Sequence, residues 1–144
     1  METMKVLVVV VSLVTCALTG FHIEFSVYPQ KLRELDGNIT RILNSSSPGK
    51  EDSQDLLFGL QSYVYTLGPL TRIMPSDMEV HGVAKTIYER GEPAFASVPV
   101  KMGVIQMAFK WTDVQMKVLH FVYDNAVKHW NDFVTEYEKL DIIV

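Results

Sequence analysis

The chain has 144 residues, a formal net charge of −4 and a single cysteine, Cys16. That length suits one domain with one hydrophobic core. The basic residues never cluster, which argues against nucleic acid or an anionic membrane surface as the main partner.

Residues 1–5 carry one lysine, and residues 6–18 then run apolar, interrupted only by Ser12 and Thr15. A bilayer-spanning helix needs about 20 apolar residues. The shorter run, followed by small residues, has the proportions of a cleaved signal peptide covering residues 1–20, with cleavage after Gly20 preferred and after Ala17 the alternative. Secretion is therefore expected, with no stable membrane insertion once the signal is removed. Cys16 would leave with it, so the mature domain, residues 21–144, would be held by packing rather than by a disulfide. Asn38-Ile39-Thr40 and Asn44-Ser45-Ser46 both satisfy the N-glycosylation rule. Two such sites behind a signal peptide point to a secreted glycoprotein, with Asn44 expected to be the more fully occupied.

Phe21, Ile23, Phe25 and Val27 alternate with polar residues. That period of two is strand-like. With no second strand to pair with, it predicts a short extended N-terminal arm over residues 21–28. Pro29 suits a helix start. Leu32, Leu35, Ile39 and Ile42 then make one apolar stripe, across which Asp36-Gly37-Asn38 is a turn signal that could kink or break the helix. The serine-rich stretch 45–49 is a loop. A second helix carries Leu57, Leu60, Val64 and Leu67, and Gly68-Pro69 is expected to end it.

Ser76-Asp77-Met78-Glu79 reads as a capping box opening a third helix, with Val80, Val83, Ala84 and Ile87 as its apolar face and Gly91 and Pro93 as its stop. Ser97-Val98-Pro99 predicts a fourth start. The helix over residues 99–110 is apolar nearly all round, a pattern expected of a central, buried helix. A further capping box at Thr112 and Gln115 opens a long last helix with the stripe Leu119, Val122, Ala126, Trp130, Phe133, Tyr137 and Leu140. About five helices joined by short loops predict an all-α bundle.

Chemistry-bearing patterns are sparse. His120 and Asp124 are neighbours on the last helix, as are His129 and Asp132. At about 100° per residue the two histidines fall on opposite sides, so they do not share a metal. A zinc site needs three or four converging ligands, and no metal or cofactor is expected. The mature chain has no thiol, no serine in a Gly-x-Ser-x-Gly elbow and no phosphate-binding glycine loop. The acid pairs Glu51/Asp55 and Asp132/Glu136 fall on solvent faces, which does not favour a shifted catalytic carboxyl. A non-enzymatic binding protein is the resulting expectation.

Two apolar features suggest what is bound. If the 99–110 helix lines a cavity, Met102, Val104, Ile105, Met107 and Phe109 are its candidate walls, suited to a fatty acid or sterol. Phe121 points about 160° away from Leu119, among Asp124, Lys128 and Lys139. It is either covered by another segment, the expected case, or offered to a protein partner as an anchor. Carrying a small apolar ligand is the first functional expectation; acting as a protein-interaction module through an exposed helix face is the alternative. Nothing in the sequence sets the oligomeric state.

Overall fold

The computed structural model describes residues 24–141, so the expected signal peptide and its cleavage site lie outside it. Among the described residues there are five α-helices and no strand: α1 (Tyr28–Asn44), α2 (Asp52–Ile73), α3 (Met78–Arg90), α4 (Met102–Phe109) and α5 (Asp113–Asp141). Two 3-10 turns, Phe25–Val27 and Ala94–Ala96, complete the regular structure.

The expected arm is not extended where it is described. Phe25–Val27 turn directly into α1, and Pro29 sits in the first helical turn. Proline there has its φ already set and lacks an N–H the helix would leave unpaired anyway. Without a strand beside it, the alternation of Phe25 and Val27 has nothing to stabilise it, and Phe25 instead packs edge-on against Tyr28 at 5.1 Å.

Helix α1 runs unbroken through Asp36-Gly37-Asn38. Gly37 and Asn38 face solvent, while Leu32, Ile39, Ile42 and Leu43 are buried and Leu35 is half-buried. The core face therefore keeps its period across the turn signal. The loop back to α2 is tied locally: the Gly49 N–H donates to Asp52 Oδ2 at 2.8 Å, and Asp52 Oδ1 lies 3.3 Å from Arg41.

Helix α2 also overrides its stop signal, continuing through Gly68-Pro69 to Ile73. Pro69 cannot donate to the carbonyl of Tyr65, four residues earlier. Tyr65 is on the solvent face, where that carbonyl can be hydrated, while Leu67 and Leu70 on either side of the proline are fully buried. Of the expected stripe Leu60 and Leu67 are fully buried and Leu57 and Val64 half-buried; the buried face is widened by Leu56, Tyr63, Thr66 and Leu70, because α2 packs extensively against both α1 and α5. At its tightest point with α1, a Cβ added to Gly59 would sit 3.0 Å from Ile39 Cγ1. Glycine is what lets these two helices approach so closely.

The start of α3 is capped by Asp77, not Ser76. Asp77 Oδ1 accepts from the N–H groups of Glu79 and Val80, and the Ser76 hydroxyl turns back to the Ile73 carbonyl at 3.1 Å. Gly91 ends α3 at φ 83°, a conformation costly for any side chain-bearing residue. The box at the head of α5 forms as expected: the Thr112 N–H donates to Gln115 Oε1 at 2.8 Å, and the Gln115 N–H donates to Thr112 Oγ1 at 3.2 Å. The α5 stripe is buried from Leu119 to Tyr137, with Met116 added in front and Leu140 half-buried.

Gly68 faces His129, and Gln61, Val64 and Tyr65 meet Phe121, Val122 and Asn125. Residues further along α2 thus meet residues further along α5, so these two helices run parallel. The segment 74–112 carries the chain back between them. No described helix is long and apolar enough to cross a membrane.

Candidate functional site

The five expected wall residues do not converge. Helix α4 is not the centre of the bundle but a short surface helix: Ile105 is buried, Met102, Val104 and Phe109 are half-buried, and Met107 is 82% exposed. A short helix that is apolar all round has no polar side to orient it; here the connection to α5 does so instead. Lys110 closes α4 in the left-handed region at φ 53°. The Gln106 side-chain amide donates to the Trp111 carbonyl at 3.2 Å and to Asp113 Oδ1 at 2.9 Å. The Phe109 and Trp111 rings meet at 4.9 Å. These contacts make α4 an elbow, with Met107 turned to water.

Phe121 is not covered by any described segment. It is 71% exposed, and across a groove of about 370 Å³ stands Tyr65, 77% exposed, on α2. Val64 and Val122 form the apolar bottom, with Gln61, Asn125 and His129 as polar groups along it. The His129 ring is fixed by a 2.9 Å hydrogen bond between Nδ1 and the Asn125 carbonyl. It does not pair with Asp132, whose carboxylate takes the Lys128 ammonium at 2.7 Å. Phe58 lies seven residues before Tyr65, and Val114 and Val118 lie seven and three before Phe121; all three are exposed. At helical spacing they continue the same faces of α2 and α5. The result is an apolar strip along two parallel helices.

A second cleft, about 240 Å³, opens on another side of the bundle among α1, the end of α3 and α5. Its apolar walls include Leu32, Ile87 and Trp130. Next to it, Asp36 Oδ1 accepts the Phe95 N–H at 3.0 Å and the Thr40 hydroxyl at 3.1 Å, while Oδ2 accepts the Ala94 N–H at 2.9 Å. Tyr63 also lines the cleft and is only 2% exposed. Its ring packs edge-on against Phe95 at 5.0 Å, and its hydroxyl has no hydrogen-bond partner among the described residues. Among the described residues no buried side-chain oxygen is left sealed off and unpaired, so this hydroxyl keeps access to the cleft that Tyr63 lines. Burial, and then the Asp36 carboxylate, push the Tyr63 phenol well above its ordinary pKa.

Neither Asp36 nor Tyr63 stands out in the sequence. Asp36 reads as part of a turn, and Tyr63 as one more residue of an apolar helix. Among the described residues no three His, Cys, Asp or Glu side chains are grouped to hold a metal ion. Comparisons with protein-family models, curated proteins and solved structures returned no match.

Proposed function

We propose that this chain is a secreted, non-enzymatic interaction module that docks a protein partner on the α2/α5 groove. The observation that carries the reading is the pair of outward aromatic rings, Tyr65 and Phe121, flanking one apolar-bottomed groove. Burying each against a partner would remove on the order of 100 Å² of apolar surface, worth roughly 2–3 kcal/mol. Aromatic anchors beside a few fixed polar groups are the composition of an interface hot spot. The strip extends over seven-residue intervals on both helices, about 10 Å along each axis. That form suits an amphipathic helix of the partner laid between α2 and α5.

The secretory part rests on the apolar run at residues 6–18 and on the two sequons. Asn38 and Asn44 are both exposed, as carriers of glycans must be. The dispersal of Met102, Val104, Ile105, Met107 and Phe109 around α4 supports a protein-interaction role over carriage of a fatty acid or sterol.

The test uses the full chain secreted from a glycosylating host, alone and with Tyr65→Ser/Phe121→Ser. Saturable binding to cells, with the double variant at least tenfold weaker at unchanged Tm, supports the reading. Concentration-dependent self-association that the double variant abolishes would instead make the groove a contact between copies and overturn it.

A further inference from the structure

The cleft beside Tyr63 has the parts of a small-molecule site and takes no part in the α2/α5 groove. A cavity of about 150 Å³ holds a benzene ring; at about 240 Å³ this one has room for a ring and a short arm. The indole of Trp130 supplies a flat apolar wall, with Leu32 and Ile87 as aliphatic neighbours. Arg33 on α1 and Arg90 on the last turn of α3 also line it, and neither forms an ion pair with a described residue. Two guanidinium groups without a carboxylate partner are a ready receptor for one.

The polar groups are sorted by depth. Arg33 and Arg90 are exposed, so they stand at the mouth, whereas Tyr63 is buried. The negative charge felt at the Tyr63 oxygen is that of Asp36, which disfavours a second anion there. Asp36 itself is occupied by three donors. Glu92, the other carboxylate lining the cleft, pairs with neither arginine, and its field acts on Tyr123. An anionic group therefore belongs at the mouth. A neutral oxygen belongs at the inner end, where the unpaired hydroxyl would otherwise gain nothing for its desolvation.

We propose that this cleft binds a small aromatic carboxylate carrying a neutral oxygen at the far end of its ring. The carboxylate lies between Arg33 and Arg90, the ring lies along Trp130, and the distal oxygen hydrogen-bonds to the Tyr63 hydroxyl.

The probes are 4-hydroxyphenylacetate, phenylacetate, 4-hydroxyphenylethanol and decanoate, titrated calorimetrically into the full chain. The hydroxy acid should bind at least tenfold more tightly than phenylacetate or the alcohol, and more tightly than decanoate. Arg33→Gln/Arg90→Gln, both exposed changes that leave Tm in place, should reduce binding of the hydroxy acid to that of the alcohol. Tyr63→Phe should bring the hydroxy acid down to phenylacetate and leave phenylacetate unchanged, a result that loss of folding cannot mimic. Equal binding of all four probes, no binding at millimolar concentration, or insensitivity to the arginine changes would overturn the proposal.

Discussion

Asp36 and Phe95 are joined across 59 positions of sequence: the α1 carboxylate accepts the Phe95 backbone N–H at 3.0 Å, and the same carboxylate holds the preceding Ala94 N–H at 2.9 Å. The other side of Phe95 is held from α5, where the Tyr123 hydroxyl donates to its carbonyl at 2.9 Å. The 3-10 turn Ala94–Ala96 thus takes its position from two helices, and it seats the fully buried Phe95 ring against Tyr63.

Asp36→Ala removes a charged acceptor from two backbone donors at once. Hydrogen bonds to charged groups are worth about 1.5–3 kcal/mol each, and water can reach part of this site, so a loss of about 2–3 kcal/mol is expected in urea denaturation. Thr40→Ala, which leaves the turn's contacts in place, should cost less. Equal costs would mean that the link to Ala94 and Phe95 contributes little.

Alanine at two glycines of the α1–α2 hairpin should act in opposite directions. A Cβ at Gly37 meets nothing within 4 Å, so Gly37→Ala should raise stability by about 0.5–1 kcal/mol through the unfolded chain and helix propensity. At Gly59 the new Cβ would press on Ile39, which is fully buried and cannot move aside. Gly59→Ala should therefore lower stability by about 1–2 kcal/mol despite the same propensity gain. Thermal melts of the two variants decide the matter, and stabilisation at both positions would contradict the tight helix contact.

Truncations along α4 distinguish an elbow from a cavity wall. Met107→Ala should change stability by less than about 0.5 kcal/mol, as at other surface positions. Ile105→Ala, at a buried position, should cost about 2–4 kcal/mol. Denaturant midpoints of the pair test this; a large loss at Met107 would return α4 to the interior of the bundle.

Stability should decline on the alkaline side. In the unfolded chain Tyr63 ionises near pH 10, whereas in the fold burial and Asp36 keep it protonated. Its contribution is complete below about pH 10 and falls as pH rises further, because only the unfolded state then releases the proton. Tyr63→Phe should flatten this limb in denaturation measured at stepped pH. Some slope will remain, since Tyr28 and Tyr123 are shifted upward as well, both chiefly by burial. An unchanged limb in the variant would show that Tyr63 ionises equally in both states.

The long α5 stripe was legible because Leu119 to Tyr137 repeats at helical spacing for five turns, and the Thr112/Gln115 box is a local device that needs no tertiary help. Gly91 was legible for the same local reason. Where local signals failed, long-range packing opposed them. Burial of Leu67 and Leu70 carries α2 through Pro69, and Ile39 and Ile42 carry α1 past Gly37. The clefts were the least legible part. Phe121 is exposed because no described helix covers that side of α2 and α5, and Tyr63 matters because of Asp36 on another helix. Neither relationship has a spacing that one segment could encode.

The parallel run of α2 and α5 also sets an order of assembly. The α1–α2 hairpin closes over a short loop and can form as soon as both helices exist, but Gly68 finds His129 only across 61 intervening steps of chain. Contacts of such separation form late and slow the folding reaction. Until α5 docks, the second flank of α2 lies open, with Val64 and Gly68 among the groups awaiting cover. The hydrophobic seam most exposed to misassociation during biogenesis is therefore the one that later supports the groove of Tyr65 and Phe121.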